Sequence, residues 1–105
     1  EAYYGRSNAN LRLGYNQRAI ADSTKAIEFN PQDADAYYNR GYAKQQLKDY
    51  QGALVDYTKA IKSNHPELSL VYAQRAKAKE ELGDTQGADA DWSESIKLWK
   101  GKREL

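Results

Sequence analysis

Residues 36–64 read AYYNRGYAKQQLKDYQGALVDYTKAIKSN, and the same pattern occurs twice more in this chain of 105 residues. Residues 2–30 match the stretch at a lag of 34, with 14 identities in 29 positions and no gap. Residues 71–99 match it at a lag of 35. Because self-similarity with a period of roughly 20 to 50 residues is typical of repeat architectures, we predict three copies of one unit that share a single core.

Each copy contains two amphipathic helical patterns. In the middle copy, Tyr37, Arg40 and Ala43 are three residues apart, and Ala53 and Tyr57 are four apart. These spacings place the residues on one face of a helix. The turn signals between the patterns are Leu-Gly-Tyr-Asn, Leu-Lys-Asp-Tyr and Leu-Gly-Asp-Thr. We predict helices over 2–13, 17–29, 34–47, 51–63, 68–82 and 86–99.

The order of residue types in each copy resembles the tetratricopeptide repeat. The matching residues are Tyr37, Gly41, Leu47, Tyr50, Ala53, Tyr57 and Ala60, then Tyr72, Ala76, Leu82, Ala88 and Trp92, with Pro31 and Pro66 closing the first two copies. The first copy departs from the pattern at Ser7, Asn16 and Ser23. The resemblance implies an all-α, right-handed solenoid of three antiparallel helix-turn-helix hairpins, with repeats at 1–33, 34–68 and 69–102 and a tail at 103–105.

An arginine and an aspartate recur sixteen residues apart in every copy. The pairs are Arg6 with Asp22, Arg40 with Asp56, and Arg75 with Asp91. The family usually has leucine at the arginine position. Both residues of a pair are expected to point toward the interface within a hairpin, so we predict a ladder of partly buried ion pairs. The alternatives are solvated charges or a role in ligand binding.

The resemblance also implies a binding surface, because in this family the first helix of each hairpin lines a concave groove for a protein or peptide. Tyrosines beside the core stripe are candidate anchors, although ordinary surface tyrosines are the alternative. The candidate groove residues are Tyr4, Asn8, Leu11, Arg12, Tyr38, Asn39, Tyr42, Gln45, Gln46, Gln74, Lys77 and Glu81.

A subgroup of the family clamps a terminal carboxylate with basic residues. The positions that would carry those cations hold Tyr4, Leu70 and Gln74 here. Without a cation, the site would offer a carboxylate no charge-assisted hydrogen bond. We therefore expect this chain not to act as a carboxylate clamp.

Composition and motifs argue against other classes of function. The 16 basic and 15 acidic residues leave a net charge of +1, which does not favour nucleic acid. The chain has no cysteine, no catalytic motif and no apolar stretch of the roughly 20 residues that span a bilayer. His65 is the sole histidine and is expected to be solvated in a turn. We predict no enzyme activity, no cofactor and no metal site.

The last predicted helix carries Trp92, Ile96 and Trp99 along one stripe. In a solenoid this stripe would be covered by another repeat or capped, so an alternative function is a structural segment that stacks on further repeats or self-associates through its C-terminal edge. The chain begins at Glu1 and contains no methionine, from which we expect a piece of a longer protein. The cellular compartment stays open.

Overall fold

A computed structural model describes the backbone of residues 2–104 and the side chains of residues 13–102. Five helices follow one another along this part of the chain. They are α1 (Ala2–Phe29), α2 (Ala34–Gln46), α3 (Tyr50–Lys62), α4 (Leu68–Glu81) and α5 (Thr85–Glu104). Each helix packs on the next in sequence, and α2 also touches α4. The prediction of an all-α solenoid is confirmed.

The turns within the second and third repeats are built in the same way. Asp49 Oδ1 accepts a hydrogen bond from the backbone N–H of Gly52 at 3.0 Å, and Asp84 Oδ1 accepts one from Gly87 at 2.9 Å. These aspartates satisfy amide donors that the first turn of a helix leaves free. A Cβ on Gly52 would clash with the Asp49 carboxylate, so a larger residue at this position would displace the capping side chain. Hairpins α2–α3 and α4–α5 result.

The first repeat does not form the predicted hairpin. We expected helices at 2–13 and 17–29, but α1 runs through Gly14 without a break. The reason lies in the turn chemistry: the position of Asp49 and Asp84 is occupied by Tyr15, and that of Gly52 and Gly87 by Arg18. Without the capping carboxylate a new helix has no start signal, so the helix continues.

The core lies between α2, α3 and α4. Tyr57, Val71, Ala53 and Ala60 are fully buried, and Tyr37 is nearly so. Small residues bring the helices together, as predicted. A Cβ on Gly41 would lie 2.9 Å from Cε1 of Tyr57, so the tyrosine ring occupies the space that any larger residue would need.

Most ends of the other four helices lie close to the predicted residues. Helices α2, α3 and α4 begin and end within one residue of their predicted positions, whereas α5 continues to Glu104, beyond the predicted end at residue 99. Lysine, arginine and glutamate after Trp99 are good helix formers, and Lys102 Nζ contacts Glu67 Oε2 at 3.1 Å. None of the helices within residues 2–104 is long and apolar enough to cross a membrane.

Candidate functional site

The predicted ion pairs form in the second and third repeats. Arg40 donates two parallel hydrogen bonds to Asp56, from Nε at 2.9 Å and from Nη2 at 2.8 Å. Arg75 binds Asp91 in the same way, with both distances 2.8 Å. Both carboxylates are buried, Asp56 completely and Asp91 to 4% exposure. These pairs join the two helices of each hairpin and set the frame from which the groove side chains project.

Two further partners of each pair were missed in the sequence. Arg40 Nη1 donates to Thr24 at 3.3 Å and Arg75 Nη1 donates to Thr58 at 3.2 Å, so each arginine also reaches the preceding repeat. Lys44 Nζ lies 3.2 Å from Asp56 Oδ2. Lys79 contacts Asp91 in the same manner at 3.0 Å. The signal was available, because the threonines recur at a lag of 34 and the lysines at 35.

The ion pairs shift the pKa values of the arginines and of one aspartate. Hydrogen bonding to Asp56 and to Asp91 raises the pKa of Arg40 and of Arg75, respectively, against the opposing effect of burial. Burial by itself would raise the pKa of Asp91, but the hydrogen bonds from Arg75 and Lys79 outweigh it and hold that pKa below its ordinary value. Both guanidinium groups and the Asp91 carboxylate are thus charged at neutral pH.

Several candidate groove residues come together between α2 and α4. They line a cleft with a volume of about 350 Å³, which we call the α2/α4 cleft. The residues that line it are Gln45, Gln46, Lys48, Tyr50, Lys77, Glu80 and Glu81. Two lysines and two glutamates give it no net charge. It is therefore a polar site of mixed charge.

Two of these side chains are held by aromatic residues of the following helix. The Tyr57 hydroxyl donates to Gln45 Oε1, and Trp92 Nε1 donates to Glu80 Oε2 at 2.9 Å. The positions correspond between the repeats. The half-buried Gln45 and the exposed Glu80 are thus positioned by the helices behind them, and the neighbouring Gln46, Lys77 and Glu81 are exposed as well.

The predicted tyrosine anchors differ in their surroundings. Tyr38 is half-buried, with its ring 5.7 Å from Tyr57 and 5.2 Å from His65. Burial raises the pKa of its hydroxyl, and Tyr42 adds to the effect. Tyr42 stacks on Tyr38 at 6.3 Å but is 42% exposed. Of this pair, Tyr42 offers the larger free surface.

His65 is buried and not solvated, contrary to the sequence-based expectation. Its Nδ1 accepts a hydrogen bond from the Glu67 N–H at 2.9 Å, and Nε2 lies 3.0 Å from Asp35 Oδ1. The ring packs on Tyr38, which lies 27 residues earlier in the chain. No cluster of three potential metal ligands occurs in the part of the chain that the structure describes.

Tyr42 and Asn39 line a different cleft from the one between α2 and α4. Its volume is about 450 Å³, and we call it the α1 cleft. It is lined by Tyr15, Asn16, Arg18, Ala19, Asp22 and Ser23 from α1 and by Asn39, Tyr42 and Ala43 from α2. The candidate groove residues on α2 thus line two clefts, Gln45 and Gln46 the α2/α4 cleft and Asn39 and Tyr42 the α1 cleft. Gln74 is half-buried on α4 and lines neither of them, and the candidates Tyr4, Asn8, Leu11 and Arg12 lie outside the described side chains.

Comparison with known families supports the repeat assignment. A family model described as tetratricopeptide repeat matches residues 34–65, and one described as TPR repeat matches residues 8–48. Together they cover residues 8–65, which is more than half of the chain. The chain belongs to the tetratricopeptide repeat family. Among curated proteins, no sequence matches it significantly.

Solved structures of tetratricopeptide repeat proteins superpose on the whole chain or most of it. A crystal structure of MamA is 28% identical with a TM-score of 0.82, covering 100% of this chain and 61% of MamA. The second tetratricopeptide repeat domain of Spaghetti (RPAP3), bound to the HSP90 peptide SRMEEVD, is 29% identical with a TM-score of 0.77, covering 90% of this chain and 86% of that one. This chain thus spans less than two thirds of the MamA chain. The fold and these neighbours support a protein-interaction scaffold.

Proposed function

We propose that this chain is a non-catalytic binding module for an extended peptide or a helix, and that its binding surface is the α2/α4 cleft. The observation that carries the proposal is the convergence of exposed polar side chains from two repeats, Gln46 from α2 with Lys77 and Glu81 from α4. Contacts from consecutive repeats suit a ligand that lies across several helices. The peptide-bound Spaghetti domain is a neighbour with this same architecture.

The charge of the cleft favours a ligand of mixed polarity over an acidic tail. Lysine and glutamate balance each other in the lining, so binding is expected to depend weakly on salt. Leu70 and Gln74 stand where a carboxylate clamp would have cations. We therefore expect the peptide SRMEEVD not to bind this chain, although it binds the Spaghetti domain.

The scaffold behind the cleft favours a preformed site. Gln45 and Glu80 are hydrogen-bonded to aromatic side chains, and the helices that carry them are joined through buried Arg–Asp pairs. A site held in this way loses little conformational entropy when a ligand binds. Exposed side chains around it then determine which peptide is accepted.

Peptides selected from a phage-displayed random library would test the proposal. Selected peptides would be measured by titration calorimetry against the unmodified chain, against Gln46→Ala/Glu81→Ala, and against Val55→Ala as a matched control. Val55 is exposed on α3 and lines neither the α1 cleft nor the α2/α4 cleft. We expect the double variant to lose about tenfold in affinity, which corresponds to about 1.4 kcal/mol, or about 0.7 kcal/mol for each of the two contacts.

Two results would contradict the proposal. Peptides that lose affinity for Val55→Ala but not for the double variant would place the binding surface on α3. A library that yields no peptide specific for the chain would remove the peptide-binding function itself. Circular dichroism of each variant shows whether the fold is retained.

A further inference from the structure

The α1 cleft is a surface that is covered in the other two repeats. Asp22 is exposed, whereas its equivalents Asp56 and Asp91 are buried. Ala19 is only half-buried, although Ala53 in the same position of the second repeat is completely buried. In those repeats the preceding helix of the hairpin, α2 or α4, covers this face. The first repeat therefore presents an interface whose usual partner helix is not packed on it.

The sequence that would cover this face is present in the chain itself. Residues 2–12 correspond to residues 36–46 of α2, including the arginine that pairs with the aspartate sixteen positions later. Arg6 thus corresponds to Arg40, which binds Asp56 bidentately. Among side chains 13–102, none forms an ion pair with Asp22. Residues 2–12 have the sequence of the missing partner helix.

The continuous α1 prevents residues 2–12 from reaching the cleft in their own chain. A straight helix of 28 residues is about 42 Å long, and its first turns continue along the axis of residues 17–29 instead of returning beside them. Within the described residues, α1 packs against α2 alone. The radius of gyration is 15.1 Å, compared with about 13 Å for a compact domain of this length.

We propose that residues 2–12 of a second copy of this chain pack into the α1 cleft, and that the exchange is reciprocal. The product is a twofold-symmetric dimer in which each first repeat is completed by the other copy. Exchange of identical elements between copies is a known route to dimers, and here Arg6 of one copy would pair with Asp22 of the other. The interface is independent of the α2/α4 cleft and of the proposed peptide.

A disulfide between copies tests this arrangement. A Cβ on Gly41 would lie 3.1 Å from the Cβ of Asp56, so the equivalent positions 7 and 22 come within disulfide range whenever residues 2–12 occupy the cleft. The natural chain has no cysteine, so a Ser7→Cys/Asp22→Cys variant carries the only two thiols. We expect air oxidation to give a covalent dimer on a non-reducing gel. A disulfide-linked monomer would show a hairpin closed within one chain and would overturn the proposal, as would free thiols.

Variants with reversed charge at position 6 or position 22 provide a second test, which needs no cysteine. In Arg6→Asp, both interfaces of a dimer oppose two carboxylates, and in Asp22→Arg both oppose two guanidinium groups. Mixing the two variants restores an opposite pair at both interfaces. We expect each variant alone to be mainly monomeric by light scattering and the mixture to recover the dimer mass. If the mixture stays monomeric while the natural chain dimerises, the proposed pairing is wrong.

The C-terminal edge is the competing route to self-association. Ile96 and Trp99 are half-exposed on α5. An Ile96→Ser variant should keep the dimer mass and the interchain disulfide if the α1 cleft is the interface. Loss of the dimer in Ile96→Ser, together with free thiols at positions 7 and 22, would assign self-association to α5 instead.

Discussion

Asp22 and Asp56 occupy the same position in consecutive repeats but have different environments. Asp56 is buried and binds Arg40 and Lys44, whereas Asp22 is exposed beside an open cleft. The local sequences around the two aspartates are alike, and both lie on helices. The difference arises seven residues earlier, where Asp49 caps α3 and Tyr15 caps nothing. One capping residue therefore decides whether the aspartate beyond it is covered.

The largest difference in stability is expected between the variants in which Asp56 or Asp22 is replaced by alanine. Asp56→Ala leaves Arg40 and Lys44 without their partner at a buried site, and we expect a loss of about 3 kcal/mol or more in the free energy of unfolding. Asp22→Ala should change it by less than about 0.5 kcal/mol at concentrations where the chain is monomeric. Urea unfolding followed by circular dichroism measures both. Equal losses would mean that Asp22 is covered within its own chain.

Two glycines at different repeat positions, Gly41 and Gly14, should respond to alanine with opposite signs. Gly41→Ala forces a methyl group against Tyr57, and we expect a destabilisation of about 1 to 3 kcal/mol. Gly14 lies within the continuous α1, where an added methyl group would meet no neighbouring atom, so Gly14→Ala should stabilise the chain by about 0.5 to 1 kcal/mol. Thermal melts of the two variants compare them directly. A destabilising Gly14→Ala would indicate that residue 14 is in a turn.

Acid should weaken the contribution that the covered aspartate of the third repeat makes to stability. Because the pKa of Asp91 is lower in the folded chain than in the unfolded one, its charge contributes stability above about pH 4, and this contribution is lost as the pH falls further. Asp91→Asn should therefore flatten the decline in melting temperature below about pH 4. A decline as steep as that of the unmodified chain would contradict the assignment to the Arg75 pair.

The smallest expected effect concerns the turn that the first repeat lacks. Lys48 has a φ of 67°, and the corresponding Gly83 has 82°, a region where a side chain costs about 1 kcal/mol. Lys48→Gly should relieve this strain and stabilise the chain by a few tenths of a kcal/mol, after the added flexibility of the unfolded chain is subtracted. Urea unfolding at matched concentrations detects the change. A clear loss of stability would show that Lys48 makes a contact that matters more than its backbone strain.

Much of the fold could be predicted because the repeat pattern is strong at buried positions. Gly41, Ala53 and Tyr57 have equivalents of the same kind in the third copy and pack as expected, and the arginine–aspartate spacing led to the correct pairs in the second and third repeats. The first turn could not be predicted from the repeat alignment, because Gly14 favours a turn while the decisive change is the loss of the capping aspartate at Tyr15.

The candidate site was predicted less completely. The sequence placed Gln45, Gln46, Lys77 and Glu81 on one surface, and the structure brings them into one cleft. It could not show that Tyr38 packs on His65, because that contact joins residues 27 positions apart in different elements. The assignment of Tyr42 and Asn39 to the same groove stays a prediction, and both residues line the α1 cleft beside the open first repeat.

The guanidinium contacts to threonine have a consequence for how the chain loses its structure. Arg40 connects α2 to Thr24 of the first repeat, and Arg75 connects α4 to Thr58 of the second, so the α2–α3 hairpin is tied on both sides. In a linear array with nearest-neighbour coupling, the unit with two couplings opens last. Amide hydrogens of α2 and α3 should therefore exchange with solvent most slowly, and fraying should proceed inward from both ends of the array.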